Sequence, residues 1–306
     1  LNHPRLTQGS VPGTMFRLSV PMMGGIFSAI AFNLADTYFV SELGTRELAA
    51  MSFTFPVVMV LVGVAWGLGS GMTASVSRAI GEGDEERVVR LSSDGLMLGL
   101  VSVMILASVG MVTIEPVFGA LGADSDLLPL IAEYMFIWYP GMVFLVVPMV
   151  GNATIRATGD TKTPAMIIIG ATVFNVILDP VLIFGWFGAP ALGLRGAALA
   201  TVIARGTTMV ATVLVLYSRE RLLDLRPPSI RDVWASWKTI GSVAVPATAT
   251  NLFTPAASAV ITRLIAGHGA AAVAAWGAGS RISAFVLIPI LGYCSGLAPF
   301  VGQNWG

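Results

Sequence analysis

The chain has 306 residues, of which 55% are hydrophobic and 11% charged, and its mean hydropathy is +0.82. Soluble domains carry about 25% charge, so the composition excludes a soluble globular protein and points to an all-α polytopic membrane protein. A net charge of zero gives no sign of a nucleic-acid partner, and the single cysteine, Cys294, excludes a disulfide framework and a metal knuckle.

A membrane-crossing helix needs about 20 mostly apolar residues. Eight stretches qualify in chain order: 17–41, 53–78, 94–114, 128–153, 164–187, 197–217, 238–265 and 272–300. Nothing at the start reads as a cleaved leader, because residues 1–14 are polar and contain Pro and Gly. The segments between spans are short and carry most of the cations. Arg5, Arg17, Arg78, Arg87, Arg90, Arg156, Lys162, Arg219, Arg221, Arg226, Arg231 and Lys238 fall on one side. Arg46, Arg195 and Arg263 fall on the other. Cations accumulate in cytoplasmic loops, which predicts a cytoplasmic N-terminus in a multi-pass cell-membrane protein. Trp138, Trp186, Trp234 and Trp237 lie near span ends, as an interfacial belt requires. The two histidines, His3 and His268, form no metal-binding pattern.

A single gap-free offset aligns Pro21 with Pro246, Gly44 with Gly269 and Ala49-Ala50 with Ala274-Ala275. It continues through Gly67 with Gly292, Ser70-Gly71 with Ser295-Gly296 and Gly81 with Gly306. An offset of six helices gives both copies the same topology, the parallel repeat of some transporters. The second copy stops after two helices, so the chain reads as a fragment: eight transmembrane helices of an expected twelve in two six-helix lobes. The expected organisation is an N-terminal lobe at 1–217, a linker at 218–237 and the start of the second lobe at 238–306.

Four charged residues lie inside the apolar runs: Asp36, Asp179, Arg205 and Arg281. A charge at mid-bilayer costs roughly 2.5–3.5 kcal/mol on insertion scales and usually marks an ion path. Asp36 follows Arg17, and Asp179 follows Lys162, at nearly equal separations along the chain. At 1.5 Å per residue both stand roughly 25–28 Å from the same membrane face. Asn33 and Asn175 sit three and four positions before these acids, on the same helix faces. Two carboxylates with flanking amide oxygens suit Na⁺, and close acids equally suit a shared proton. Pro180 lacks the amide that would bond the Val176 carbonyl, so it is a candidate hinge. Arg205 and Arg281 read as snorkelling or structurally paired. The glycines Gly63, Gly67 and Gly71 read as helix packing. Ion-coupled transport is the leading reading. No G-x-S-x-G or H-E-x-x-H pattern supports an enzyme, and no cofactor is implied.

Several motifs, taken in order, resemble the multidrug and toxic compound extrusion (MATE) family. They are Asn33-Leu34-Ala35-Asp36, the run Arg156–Pro164, Asn175-Val176-Ile177-Leu178-Asp179-Pro180, Gly196-Ala197-Ala198-Leu199-Ala200-Thr201 and Val301-Gly302-Gln303-Asn304. The resemblance covers the chain but only about two thirds of the family's twelve helices. It implies a V of two lobes, alternating access, and export of organic cations against inward Na⁺ or H⁺ by a monomer. The fourth span descends from outside and places Tyr134 near the depth of Asp36, Asn175 and Asp179, the candidate Na⁺ ligands; the family pattern also puts a tyrosine there, and by family position Asn152 and Thr201 would join them. The stretch Pro246–Thr254 holds no acid, which resembles the DNA-damage-inducible branch rather than the Na⁺-driven pumps. A flippase for lipid-linked sugars in the same superfamily is the runner-up, favoured only by Arg205 and Arg281.

Overall fold

In the computed structural model the described residues are 6–224, 229–266, 275–276, 279, 282–283 and 285–306. Arg5, Arg226, Arg281, His3, His268 and Gly269 lie outside them. The elements are α1 (Val11–Ser41), α2 (Thr45–Glu82), α3 (Glu85–Val112), α4 (Ile114–Ala120), α5 (Leu128–Gly141) and α6 (Val143–Ala157). They continue with α7 (Lys162–Phe184), α8 (Leu194–Leu214), α9 (Ile230–Ala266) and α10 (Ile288–Trp305). A 3₁₀ turn at Trp186–Gly188 follows α7, and a π turn at Val215–Arg219 follows α8.

Local chemistry explains the boundaries. Gly83, at φ +75°, closes α2 in the left-handed conformation that glycine adopts without a Cβ penalty. Asp84 then caps α3 by accepting the Arg87 amide at 3.0 Å, and Glu85 and Glu86 face the positive end of its dipole. The expected fourth span is two helices, α5 and α6, which meet at Met142. Pro140 cannot donate to Phe136, and the Met142 amide turns back to Tyr139 at 3.1 Å. α7, by contrast, runs through Pro180 without interruption.

Six helical stretches among the described residues are long and apolar enough to cross a membrane: Val11–Ser41, Thr45–Glu82, Glu85–Val112, Leu128–Ala157, Lys162–Phe184 and Leu194–Arg219. They correspond to the first six expected spans. α9 and α10, at the positions of the seventh and eighth, are not among these six; Thr248, Thr250 and Asn251 interrupt α9, and Gln303 and Asn304 lie in α10. Much of the first half of the eighth expected span lies outside the described residues.

The core sits among α2, α3, α4, α5, α6 and α8 and includes Met72, Val103, Phe118, Ile131, Met135 and Val150. Trp138 belongs to this core and stacks edge-on against Tyr139, so it is not part of an interfacial belt. Trp186 and Trp234 are exposed.

α9 packs along α2, and α10 packs between α1 and α2. Glycine permits both approaches. Gly67 faces Thr248 and the Ala244 carbonyl, while Gly292 faces Met23 and the Ser19 carbonyl. The second set of contacts is the first displaced by the offset of the sequence repeat, the one that carries Pro21 to Pro246. The α2–α9 and α10–α1 junctions are thus one close contact made twice, as small residues allow between helices in lipid. Both lie in the halves of α1 and α2 nearest the α2–α3 turn, the end of the bundle that gathers most of the cations. That end is called the basic end below.

Candidate functional site

Toward the opposite end, four helices bring polar side chains to one level. Asp36 is five residues before the end of α1, and Asp179 five before the end of α7. Tyr134 is six residues into α5 and Thr201 seven into α8. At 1.5 Å per residue all four lie roughly 8–10 Å from that end. α7 packs along both α1 and α8, and α8 packs on α5, so these levels meet in one interior region.

Asp36, Tyr134, Asn175, Asp179 and Thr201 are all buried, Asn175 and Asp179 completely. The Asn175 Nδ2 donates to Asp179 Oδ1 at 3.1 Å. That bond fixes the amide so that its Oδ1 is left over, together with Asp179 Oδ2. Asp36 Oδ1 and Thr201 Oγ1 are likewise buried without a hydrogen-bond partner. Buried polar atoms are almost always satisfied, so four unsatisfied oxygens on three adjoining helices make this region the candidate site.

A cation completes the set. Arg205 lies one turn after Thr201, and its guanidinium stands 5.8 Å from the centre of the Phe32 ring, one turn before Asp36. Its Nη1 is buried and has no hydrogen-bond partner. Asp36 and Tyr134 lie within Coulombic range of each other and of both Asp179 and Arg205. Two carboxylates and one guanidinium leave this interior region with a formal charge of −1.

Two expected members are elsewhere. Asn33 is exposed and donates from Nδ2 to its own helix at the Ala29 carbonyl, 2.9 Å away. A spacing of three positions leaves roughly 60° between it and Asp36 around a 3.6-residue helix, enough to turn one out and the other in. Asn152 is buried near the basic end of α6 and accepts from the Thr212 hydroxyl at 3.3 Å. Thr212 lies about three turns past Thr201 on α8, roughly 16 Å along the helix. Pro180 is buried beside Asp179.

Two residues escape a reading of the sequence alone. Arg205 reads there as snorkelling or structurally paired, yet it belongs to the cluster; its spacing of four from Thr201 is the signal that places it. Asp94 reads as the edge of a span, but α3 begins at Glu85, so Asp94 is buried inside the helix with Oδ2 unsatisfied. Trp237 Nε1 donates to the Asp94 backbone carbonyl at 2.9 Å.

The family model MatE matches residues 21–181 and 246–306. The chain belongs to the MatE family. The matched segments contain Asp36, Tyr134, Asn175 and Asp179 and leave out Thr201 and Arg205. A curated relative from Shewanella oneidensis, named FAD transporter, is 40% identical over 98% of this chain and 67% of its own length. The probable multidrug resistance protein YoeA of Bacillus subtilis is 29% identical over 86% of this chain and 58% of its own length. Among solved structures, a mutant of the Vibrio cholerae MATE transporter VcmN superposes with a TM-score of 0.90 at 32% identity, covering 95% of this chain and 65% of that one. The chain thus spans about two thirds or less of the length of these relatives. With its apolar helices and this membership it is a multi-span membrane protein of a transporter family.

Proposed function

We propose that the whole protein is a secondary active antiporter that couples export of a small amphipathic molecule to inward movement of one monovalent cation, Na⁺ or H⁺. The observation that carries this reading is the set of four buried, unsatisfied oxygens on Asp36, Asn175, Asp179 and Thr201. Hard oxygen donors of this kind suit Na⁺, and either carboxylate can take a proton in its place. Because Arg205 already offsets one carboxylate, a single added positive charge neutralises the cluster. Tyr134 supplies a hydroxyl at the same level.

The mechanism follows from where the helices touch. The segments 1–217 and 238–306 meet at the basic end, which the distribution of cations assigns to the cytoplasm, so the cluster lies on the side that opens outward. A cation reaching Asp36 and Asp179 from outside removes their charge and lets α1 and α7 repack, with Pro180 as the pivot of α7. Outward release of cargo and inward release of the cation complete the cycle in a monomer. The flippase alternative loses one of its two supports, because Arg205 lies within Coulombic range of the Asp36 carboxylate; Arg281 lies outside the described residues.

Two cargo classes are supported. Organic cations fit the multidrug relatives and an interior with net negative charge. A flavin dinucleotide is favoured by the 40% identity to the FAD transporter, higher than the 29% to YoeA. The deciding experiment loads proteoliposomes of the full-length protein with FAD or with ethidium and imposes a Na⁺ or H⁺ gradient. Gradient-driven movement of one cargo, lost in Asp36→Asn, is the expected result. Equal transport by Asp36→Asn would refute the coupling role.

A further inference from the structure

An open cavity of about 1300 Å³ lies far from the oxygen cluster, at the basic end, where α1, the α6–α7 turn and the segment after the π turn converge. Its wall carries Arg17, Lys162, Arg219 and Arg221 against Asp160 and Glu220. Both acids are already engaged. Asp160 receives the Thr163 amide at 2.9 Å, the Thr163 hydroxyl at 2.6 Å and Arg219 Nη2 at 3.0 Å. Glu220 Oε1 lies 3.5 Å from Arg219 Nε. The wall therefore carries a formal excess of two positive charges, and Arg17, Lys162 and Arg221 make no ion pair among the described residues.

The cavity is amphipathic as well as basic. Pro21, Met166 and Ile167 line its other side, and Met166 is exposed on the outer surface of α7. Lys162 is the first residue of its membrane-crossing helix, and Arg17 lies near the start of another, so the cations stand at headgroup level and the apolar wall continues into the bilayer. Arg221 holds a left-handed backbone, φ +52°, between the buried residues Glu220 and Leu222. A non-glycine residue in that conformation is kept only where its surroundings enforce it, so its place on the wall is set by the fold.

We propose that this cavity binds the phosphodiester headgroup of an anionic phospholipid, with Arg17, Lys162 and Arg221 around the phosphate and an acyl chain along Pro21 and Met166. Basic pockets between transmembrane helices on the cytoplasmic side recognise such headgroups, and on the orientation proposed above this is the cytoplasmic leaflet. The apolar wall favours a lipid over a free phosphate.

The test uses full-length protein in a neutral detergent, titrated with phosphatidylglycerol, phosphatidylcholine, or inorganic phosphate and glycerol 3-phosphate, and read by native mass spectrometry. The expected result is a retained phosphatidylglycerol adduct, at least tenfold tighter than phosphatidylcholine. It weakens tenfold or more in Arg17→Gln/Lys162→Gln and in Arg221→Asn, which tolerates the left-handed backbone. Arg46→Gln, at the opposite end, serves as the control and keeps the adduct, and melting curves of all variants establish folding. Equal binding of the two lipids would overturn the proposal. So would saturation by inorganic phosphate or glycerol 3-phosphate at the same affinity, which would make this a free-phosphate site. An adduct indifferent to all three cavity substitutions would overturn it too.

Discussion

Gln303 is where α10 is tied to the rest of the bundle by defined hydrogen bonds. Its side chain is 2% exposed. Oε1 accepts the Leu6 amide at 2.9 Å, and Nε2 donates to the Ala157 carbonyl at 2.7 Å. One amide thus joins the N-terminal segment, the end of α6 and α10, and the Asn304 Nδ2 adds a bond to the Leu6 carbonyl at 3.3 Å. Gln303→Ala leaves a buried N–H and a buried C=O unmet, at about 1–3 kcal/mol each. The total of about 2–6 kcal/mol weakens the arrangement closed at the basic end, by a factor of about 30 at the low end of that range. Spin labels at Arg87→Cys and Trp305→Cys, in full-length Cys294→Ser protein, report the separation of α3 and α10. The expected result is one short distance with Gln303 present and a growing longer population in Gln303→Ala. Gln303→Glu should behave similarly, since it keeps the acceptor and loses the donor. Identical distance distributions in all three proteins would refute the argument that this amide holds the end closed.

Three further outcomes follow from particular contacts. A Cβ on Gly71 would stand 2.6 Å from the Ile240 carbonyl oxygen, so Gly71→Val should cost about 1–3 kcal/mol by overpacking and lower the melting temperature. Asn33→Ala should transport within about twofold of wild type, because its amide serves only its own helix; in the same assay Asn175→Ala should lose at least tenfold, about 1.4 kcal/mol, by freeing the Asp179 carboxylate it holds. Arg205→Gln removes the cation of the cluster and should change the number of cations moved per cargo, read from the reversal potential, whereas Arg205→Lys should keep it.

The site was partly legible in the sequence. Asp36 and Asp179 stand out because ionisable residues inside long apolar runs are rare, and their equal distance from flanking cations fixed a shared level that the helices reproduce. Thr201 and Tyr134, expected from family position, reach the same level. Asn33, one turn from Asp36, faces out of the cluster and Asn152 lies toward the basic end, because spacing along a helix specifies an angle only to within a residue or so, and a short polar side chain satisfies whichever backbone or hydroxyl lies nearest.

What the sequence determined by itself was everything that depends on local composition. Six of the eight apolar runs became membrane-length helical stretches, Asp84 and Gly83 set a turn, and Gly63, Gly67 and Gly71 lie against a neighbouring helix as small residues do. The tertiary structure decided which atoms meet. It split the fourth span at Met142, placed Arg205 over Phe32 beside the acids, drew Asp94 into the interior and left four oxygens without partners. Hydropathy and helix propensity are summed along the chain and so survive without a fold. Pairing of a buried charge depends on the rotation of neighbouring helices about their axes, and only their mutual packing sets that.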